Sequence, residues 1–406
     1  MRAGTLARQR RRPQPGMAIP IDDETRLIRA GAAPRTLAKT VGPPIQKGST
    51  VLLPDAASLY DDDKLTYGRQ GLAAQFALQQ ALAELEGAKG VALYPSGLAA
   101  LTGALLAVLQ AGDEVLVTDA VYKPSRRFCD HVLKRFGVGV RYFDPRATAD
   151  EVMAMAGDAT RLILMESPGS LTFEMQDMAK VAKLAKARGI LTAADNTWGA
   201  GYLYKPLAHG VDLSIQALTK YVGGHSDVFM GSAAARDPKL VQALDDGVTH
   251  LGWAVTGEEA YQMLRGLRTL PTRLAKQGES GIAIARWLRD QPQVAALYHP
   301  AVPGCPDHEL WARDYSGACG LFAFALQPCS RAAVNAFLDA LKLFGLGFSW
   351  GGFESLAVSC DPQLHARRIK RAYPGPLIRL HIGLENPDDL IADLRGGLAA
   401  CARHIA

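Results

Sequence analysis

Two stretches of the chain place an acid and an amine where a sheet would present them. The apolar run Ile190 to Ala194 ends on Asp195, and a second run, Val211 to Leu218, ends on Thr219 and Lys220. Such runs read as buried parallel strands, and open α/β sheets bind ligands at the carboxyl ends of their strands. Gly223 and Gly224 follow closely, so the backbone can turn tightly and a ligand can approach it. Taken singly, an Asp after a strand is usually a cap and a Lys is usually on the surface. Taken together, they suit a ligand that needs an amine at one end and an anion at the other.

Pyridoxal phosphate is such a cofactor: its aldehyde condenses with a lysine, and its ring nitrogen stays protonated opposite a carboxylate. The joint pattern is specific. A lysine after Ser214-Ile215-Gln216-Ala217-Leu218-Thr219 and before Tyr221-Val222-Gly223-Gly224-His225-Ser226-Asp227 resembles the Cys/Met-metabolism family of pyridoxal-phosphate enzymes. The resemblance runs from about Thr66 to Asp393. It implies the type I pyridoxal-phosphate enzyme fold (aspartate aminotransferase-like): an α/β chain with a large, mostly parallel sheet domain and a smaller C-terminal α/β domain.

The same resemblance assigns expected roles. Lys220 holds the cofactor and acts as base, and Asp195 faces the ring nitrogen. The amides of Gly97 and Leu98, at a strand-to-helix turn that is a ready anion site, take the phosphate with help from the Thr219 hydroxyl. Many relatives carry serine where this chain has Ala217, so one phosphate bond is expected to be missing. Tyr67 and Arg69 match a pair that reaches the phosphate of a neighbouring subunit, which implies shared active sites. Tyr122 stacks on the ring; a phenol beside a cationic cofactor is expected to have a lowered pKa and to help move protons. Arg379 interrupts an apolar strand with a permanent charge shaped to hold a substrate carboxylate, and Ser349 and Trp350 complete that pocket. Trp350, and Ser170 where γ-class relatives have asparagine, favour the beta-lyase branch. The implied activity is β-elimination from an amino-acid thioether such as cystathionine. A γ-class reaction, or a catalytically silent protein that keeps the fold for binding or regulation, is the alternative.

The elements around these residues alternate. Strands are expected at Val91–Tyr94, Glu114–Thr118, Val138–Phe143, Arg161–Met165, Ile190–Ala194, Leu213–Leu218 and Val228–Ala234, with helices at 72–86, 98–110, 124–135 and 177–188 between them. A long helix, Glu258 to about Arg289, then leads to strands at Cys319–Leu326 and Leu377–Ile382 and helices at 332–341 and 387–403. The expected division is an N-terminal arm over 1–65 without a core of its own, a cofactor-binding domain over 66–257 and a C-terminal domain over 258–406.

Composition narrows the function further. The 406 residues carry 45 basic and 40 acidic side chains, a net charge of +5. All of that excess lies in the first sixteen residues, where Arg2, Arg8, Arg10, Arg11 and Arg12 stand without an acid, so no nucleic-acid footprint is expected on the body. This arm has no apolar core for a secretory signal and reads as a disordered extension, with Met17 as an alternative start. No apolar run reaches the roughly 18 residues of a membrane span. Six cysteines without CxxC spacing read as reduced thiols of a cytoplasmic protein, and nine histidines without paired spacing suggest no metal. A homotetramer built from dimers is expected, acting on a small amino-acid thioether.

Overall fold

The computed structural model of the chain describes residues 22–30, 40–61 and 63–403. The basic segment 1–16 and Met17 lie outside them. Seven strands form the larger sheet: β1 (Gly90–Tyr94), β2 (Glu114–Thr118), β3 (Gly139–Phe143), β4 (Thr160–Glu166), β5 (Leu191–Asp195), β6 (Leu213–Gln216) and β7 (Gly231–Ala235). Their spatial order is β1-β7-β6-β5-β4-β2-β3. Only β7 runs against the others, pairing antiparallel with both β1 and β6. The remaining strands are parallel, so β1, β2, β4, β5 and β6 all release the chain at one edge.

The inner strands are apolar because both faces are covered, whereas the edge strand β3 is largely exposed. Ile163 and Met165 of β4 pack into one core with the helices Ala73–Glu86 and Met178–Ala187. Leu162 and Leu164 face the opposite way, into a second core with the helices Gly97–Val108 and Pro238–His250. Near-continuous apolar runs are the signature of a parallel sheet buried on both sides.

The second sheet holds five strands: β8 (Val294–Tyr298), β9 (Leu321–Leu326), β10 (Gly345–Leu346), β11 (Leu356–Ser359) and β12 (Leu377–His381). It is ordered β10-β11-β12-β9-β8 and has its own core against the helices Arg331–Asp339 and Pro387–Ala402. The strands β8, β10 and β11 were not expected from sequence; β10 and β11 are two and four residues long, while β8 is an apolar run of five. The single long helix expected from Glu258 is two helices, Gly257–Leu267 and Leu270–Arg289. The break falls where Pro271, which cannot donate to a preceding turn, starts the second helix. The N-terminal arm also contains a helix, Asp23–Arg29, capped by Asp22, with acids in its first turn and arginines in its last. Its Leu27 is buried in the main core. Residues 40–61 lie partly along the helix Gly257–Leu267: Lys47 pairs with Glu258, and Gly68 donates its N–H to the Ser49 carbonyl. Among the described residues no helix is long and apolar enough to cross a membrane, and no group of His, Cys, Asp and Glu is placed to hold a metal ion.

A buried carboxyl braces the strand that leads to Lys220. Glu86, at the end of the helix Ala73–Glu86, accepts hydrogen bonds from Ser214 Oγ at 3.0 Å and from Gln216 Nε2. Burial raises its pKa from 4.5 to about 7, against these two donors and Lys205. The folded state therefore holds this proton more tightly than the unfolded chain, and its contribution is lost as pH rises from about 4.5 through about 7. Glu86→Gln carries no charge; its amide oxygen accepts from Gln216 Nε2 and its amide N–H donates to the Ser214 hydroxyl. The wild type should lose up to about 3 kcal/mol relative to E86Q over that window, read by denaturant melts across pH. A constant difference between the two proteins across pH would contradict the assignment.

Candidate active site

The parallel strands' shared edge opens on a cavity of about 360 Å³. Ser96, Gly97 and Leu98 reach it from beyond β1, Tyr122 from beyond β2, Glu166 from β4, Asp195 from β5, and Ala217, Thr219 and Lys220 from beyond β6. The second sheet closes the opposite wall with Phe348, Ser349, Trp350 and Arg379. Chain segments far apart in sequence converge here because their strands point the same way.

Asp195 is held before any ligand arrives. Its Oδ1 accepts from Thr197 N–H at 3.1 Å and from Thr197 Oγ1 at 2.6 Å. Thr197 Oγ1 also accepts from Ala217 N–H at 2.9 Å, tying the end of β5 to the chain leaving β6. Burial raises the Asp195 pKa, while the two Thr197 bonds and the charge of Lys220 oppose that rise.

Lys220 donates to Ser349 Oγ at 2.8 Å, and its ammonium lies 5.4 Å from the centre of the Trp350 ring. Burial, then repulsion from Arg379, brings its pKa from 10.5 down to about 8, with Asp195 opposing. The backbone around it is fixed from two sides. Arg273, itself buried, donates to the carbonyls of Tyr221, Val222 and Gly266. Gly351, at φ 84°, lies so close that a Cβ there would sit 2.8 Å from the Lys220 carbonyl carbon. His381 Nε2 accepts from Gly351 N–H at 3.0 Å, and burial lowers this imidazole's pKa to about 3, which keeps it neutral and able to accept.

Arg379 is 7% exposed and forms no ion pair among the described residues. Its Nη2 donates to the carbonyls of Phe348 at 2.8 Å and Ser349 at 3.2 Å. A buried guanidinium held only by neutral carbonyls is a standing site for an anion.

At the phosphate end, the Ser96 side chain caps the helix Gly97–Val108 by accepting from Ala99 N–H. Among the described residues no acceptor engages the amides of Gly97 and Leu98, which is the arrangement an anion needs. Gly97 sits directly on Ala217, where an added Cβ would meet that of Ala217 at 2.3 Å. The Thr219 hydroxyl donates to the Met230 carbonyl and accepts from Met230 N–H, so serving a phosphate requires giving up the first bond. A phosphate cradle, a fixed carboxylate and a lysine of lowered pKa on one cavity fit pyridoxal phosphate.

Tyr122 lines the cavity, as expected of a residue that stacks on the ring. In the chain alone its pKa is raised, by desolvation first and then by Glu166 and Asp195, with Arg379 opposing. Tyr67 and Arg69 are not at this cavity. Tyr67 is 47% exposed, and Arg69 donates to the Thr249 carbonyl beside a separate groove. Glu166, Thr197 and His381 lie within motifs readable in the sequence, yet they carry no signal of their own there; only their placement marks them.

Comparison with known proteins agrees with this geometry. The profile of the family described as "Cys/Met metabolism PLP-dependent enzyme" matches residues 24–399. The chain belongs to that family. Cystathionine beta-lyase of Haemophilus influenzae is 40% identical, with 95% of this chain and all of that protein covered. Cystathionine beta-lyase of Bordetella avium is 41% identical, covering 93% of this chain and 98% of that one. Among solved structures, cystathionine gamma synthase from Xanthomonas oryzae pv. oryzae, in complex with aminoacrylate and cysteine, superposes with a TM-score of 0.88. It is 34% identical and covers 95% of this chain and all of that one. The protein is a pyridoxal-phosphate enzyme of fold type I.

Replacing Thr197 by Val removes the hydroxyl that serves both Asp195 and Ala217. The variant should bind pyridoxal phosphate about tenfold more weakly, measured by titrating the apoprotein and following cofactor absorbance. Unchanged affinity would show that Asp195 does not need this support.

Proposed function

We propose that the enzyme is a carbon–sulfur lyase that cleaves L-cystathionine by β-elimination to homocysteine, pyruvate and ammonia. The observation that carries this reading is Arg379, a buried guanidinium without a carboxylate partner among the described residues, sharing one cavity with Lys220 and Asp195. Such a cavity takes an amino acid by its α-carboxylate and presents its Cα to a base. The choice of thioether rests on relatives of about 40% identity that carry the beta-lyase name over nearly their whole length.

Pyridoxal phosphate, when bound, supplies the electron sink for the pair released at Cα. The amides of Gly97 and Leu98 would hold its phosphate, and Asp195 would keep its ring nitrogen protonated. Arg379 grips the substrate carboxylate, with Ser349 and Trp350 closing the pocket beside it. Lys220, with its pKa near 8, gives up its proton far more readily than a free lysine and takes the Cα proton. The newly protonated Lys220, or Tyr122 through its phenol, donates to the departing thiolate. Trp198 and Phe173, both buried on the cavity wall, limit water around these transfers.

We infer further that two chains complete each site. Tyr67 and Arg69 match residues that reach a neighbour's phosphate, and the arm ahead of them exposes Val41, Leu52 and Tyr60 by 83%, 92% and 92%. Apolar side chains so exposed are suited to cover by another subunit. Dimers of this kind, pairing into tetramers in the cytoplasm, are the proposed working form.

Assay of thiol and keto acid together tests the reaction: equal homocysteine and pyruvate are expected, whereas 2-oxobutyrate would move the enzyme to a γ-class reaction. Lys220→Ala should lower pyruvate release by about 1,000-fold or more while leaving the fold intact. Mixed dimers of Lys220→Ala and Arg69→Ala chains contain one complete site if sites are shared. A co-refolded mixture should regain up to about a quarter of wild-type activity, and no gain over the separate variants would refute sharing.

A further inference from the structure

Glu166 has no part in the chemistry described above, yet it stands in the middle of it. It is the register partner of Asp195 across the parallel pair β4 and β5, so the two residues leave adjacent strands about 4.8 Å apart and on the same face. Both line the cavity. Asp195 has two donors on one oxygen from Thr197, an arrangement made for an anion. Glu166 has one, the Tyr122 backbone N–H, which it accepts on Oε2 at 2.7 Å. The one other donor beside its carboxyl, the Ser170 N–H, is directed to the Ala120 carbonyl at 3.0 Å. The charged and titratable groups facing it are Asp195, the Tyr122 phenol and Arg367. Arg367 is already committed to Glu174, the Ser170 carbonyl and Thr172. Two carboxyls leaving neighbouring strands on one face do not both ionise readily, and the one with fewer donors keeps the proton.

We propose that Glu166 is a positioning residue that works as a neutral acid, accepting the Tyr122 N–H on one oxygen and offering an O–H to the cofactor side on the other. Asp195 is thereby left as the single carboxylate facing the ring nitrogen. Burial and the neighbouring Asp195 both push the Glu166 pKa well above the ordinary carboxylate value, in the direction this role needs. The inference rests on the assignment of Asp195 to the ring nitrogen. It adds that the site carries one negative charge on these two strands, not two, and that the loop bearing Tyr122 is placed by a carboxylic acid.

The test uses the reconstituted holoenzyme and its Glu166→Gln and Glu166→Ala variants. Gln keeps a neutral group with both an acceptor and a donor; Ala removes both. Turnover should fall about tenfold or more in E166A with KM little changed, and E166Q should recover to within about threefold of wild type. The pH midpoint of the bound cofactor's visible band, read without substrate, should be the same in E166Q and wild type to within about 0.3 unit. If Glu166 were ionised, removing its charge would lower that midpoint by about one unit or more, because nearby cations would lose a stabilising anion. The inference is overturned by such a shift, by E166Q being as impaired as E166A, or by E166A being normal. Failure of the β-elimination reading is separate: it shows as wild-type holoenzyme that releases no pyruvate from cystathionine, while the midpoint still decides the state of Glu166.

Discussion

Asp195 and Lys220 attract one another across the cavity, and the surrounding structure keeps them apart yet facing. Neither charge is comfortable. Burial drives the carboxyl of Asp195 up and the ammonium of Lys220 down, and each is the other's main stabilising charge. Left to itself such a pair would collapse or neutralise. It is held open because each group is tied elsewhere: Asp195 to Thr197, and Lys220 to Ser349 on the other sheet.

The second sheet is therefore part of the site rather than an appendage. Arg379 sits on β12, His381 two residues later pins the Gly351 turn, and that turn lies on the backbone of Lys220. A strap over residues 367–371 returns the compliment to the first sheet. The amides of Arg368 and Ile369 donate to the buried carboxylate of Asp119, just before the loop that carries Tyr122. The Arg367 side chain holds the loop after β4 through Glu174 and Ser170. The two halves of the cavity are thus fixed by hydrogen bonds to each other, not by their own cores alone.

Much of this was legible in the chain. The large sheet's strands are long apolar runs because both their faces are buried, so their positions could be read directly, and Asp195 and Lys220 stood out as polar residues at the ends of such runs. The positions of Gly97, Leu98, Tyr122, Ser349, Trp350 and Arg379 followed from motif resemblance, and the structure brings all of them to one cavity. Tyr67 and Arg69 do not join them within one chain. What could not be read depends on contacts across the fold. Thr197 matters through a hydroxyl aimed at a residue two positions away and at another strand, and Glu166 through a register no local pattern encodes. The strand β11 is a four-residue segment set by its pairing with β10 and β12. The helix Asp23–Arg29 escaped notice because one buried residue, Leu27, is too little periodicity to detect.

The central claim is that the amine of Lys220 is the group that carries the cofactor. Reducing the reconstituted protein with borohydride and mapping the modified peptide by mass spectrometry tests it most directly. The account predicts a single pyridoxyl label, on the peptide containing Lys220, and no label in Lys220→Ala. A label on any other lysine, or none on a protein that binds the cofactor, would contradict it.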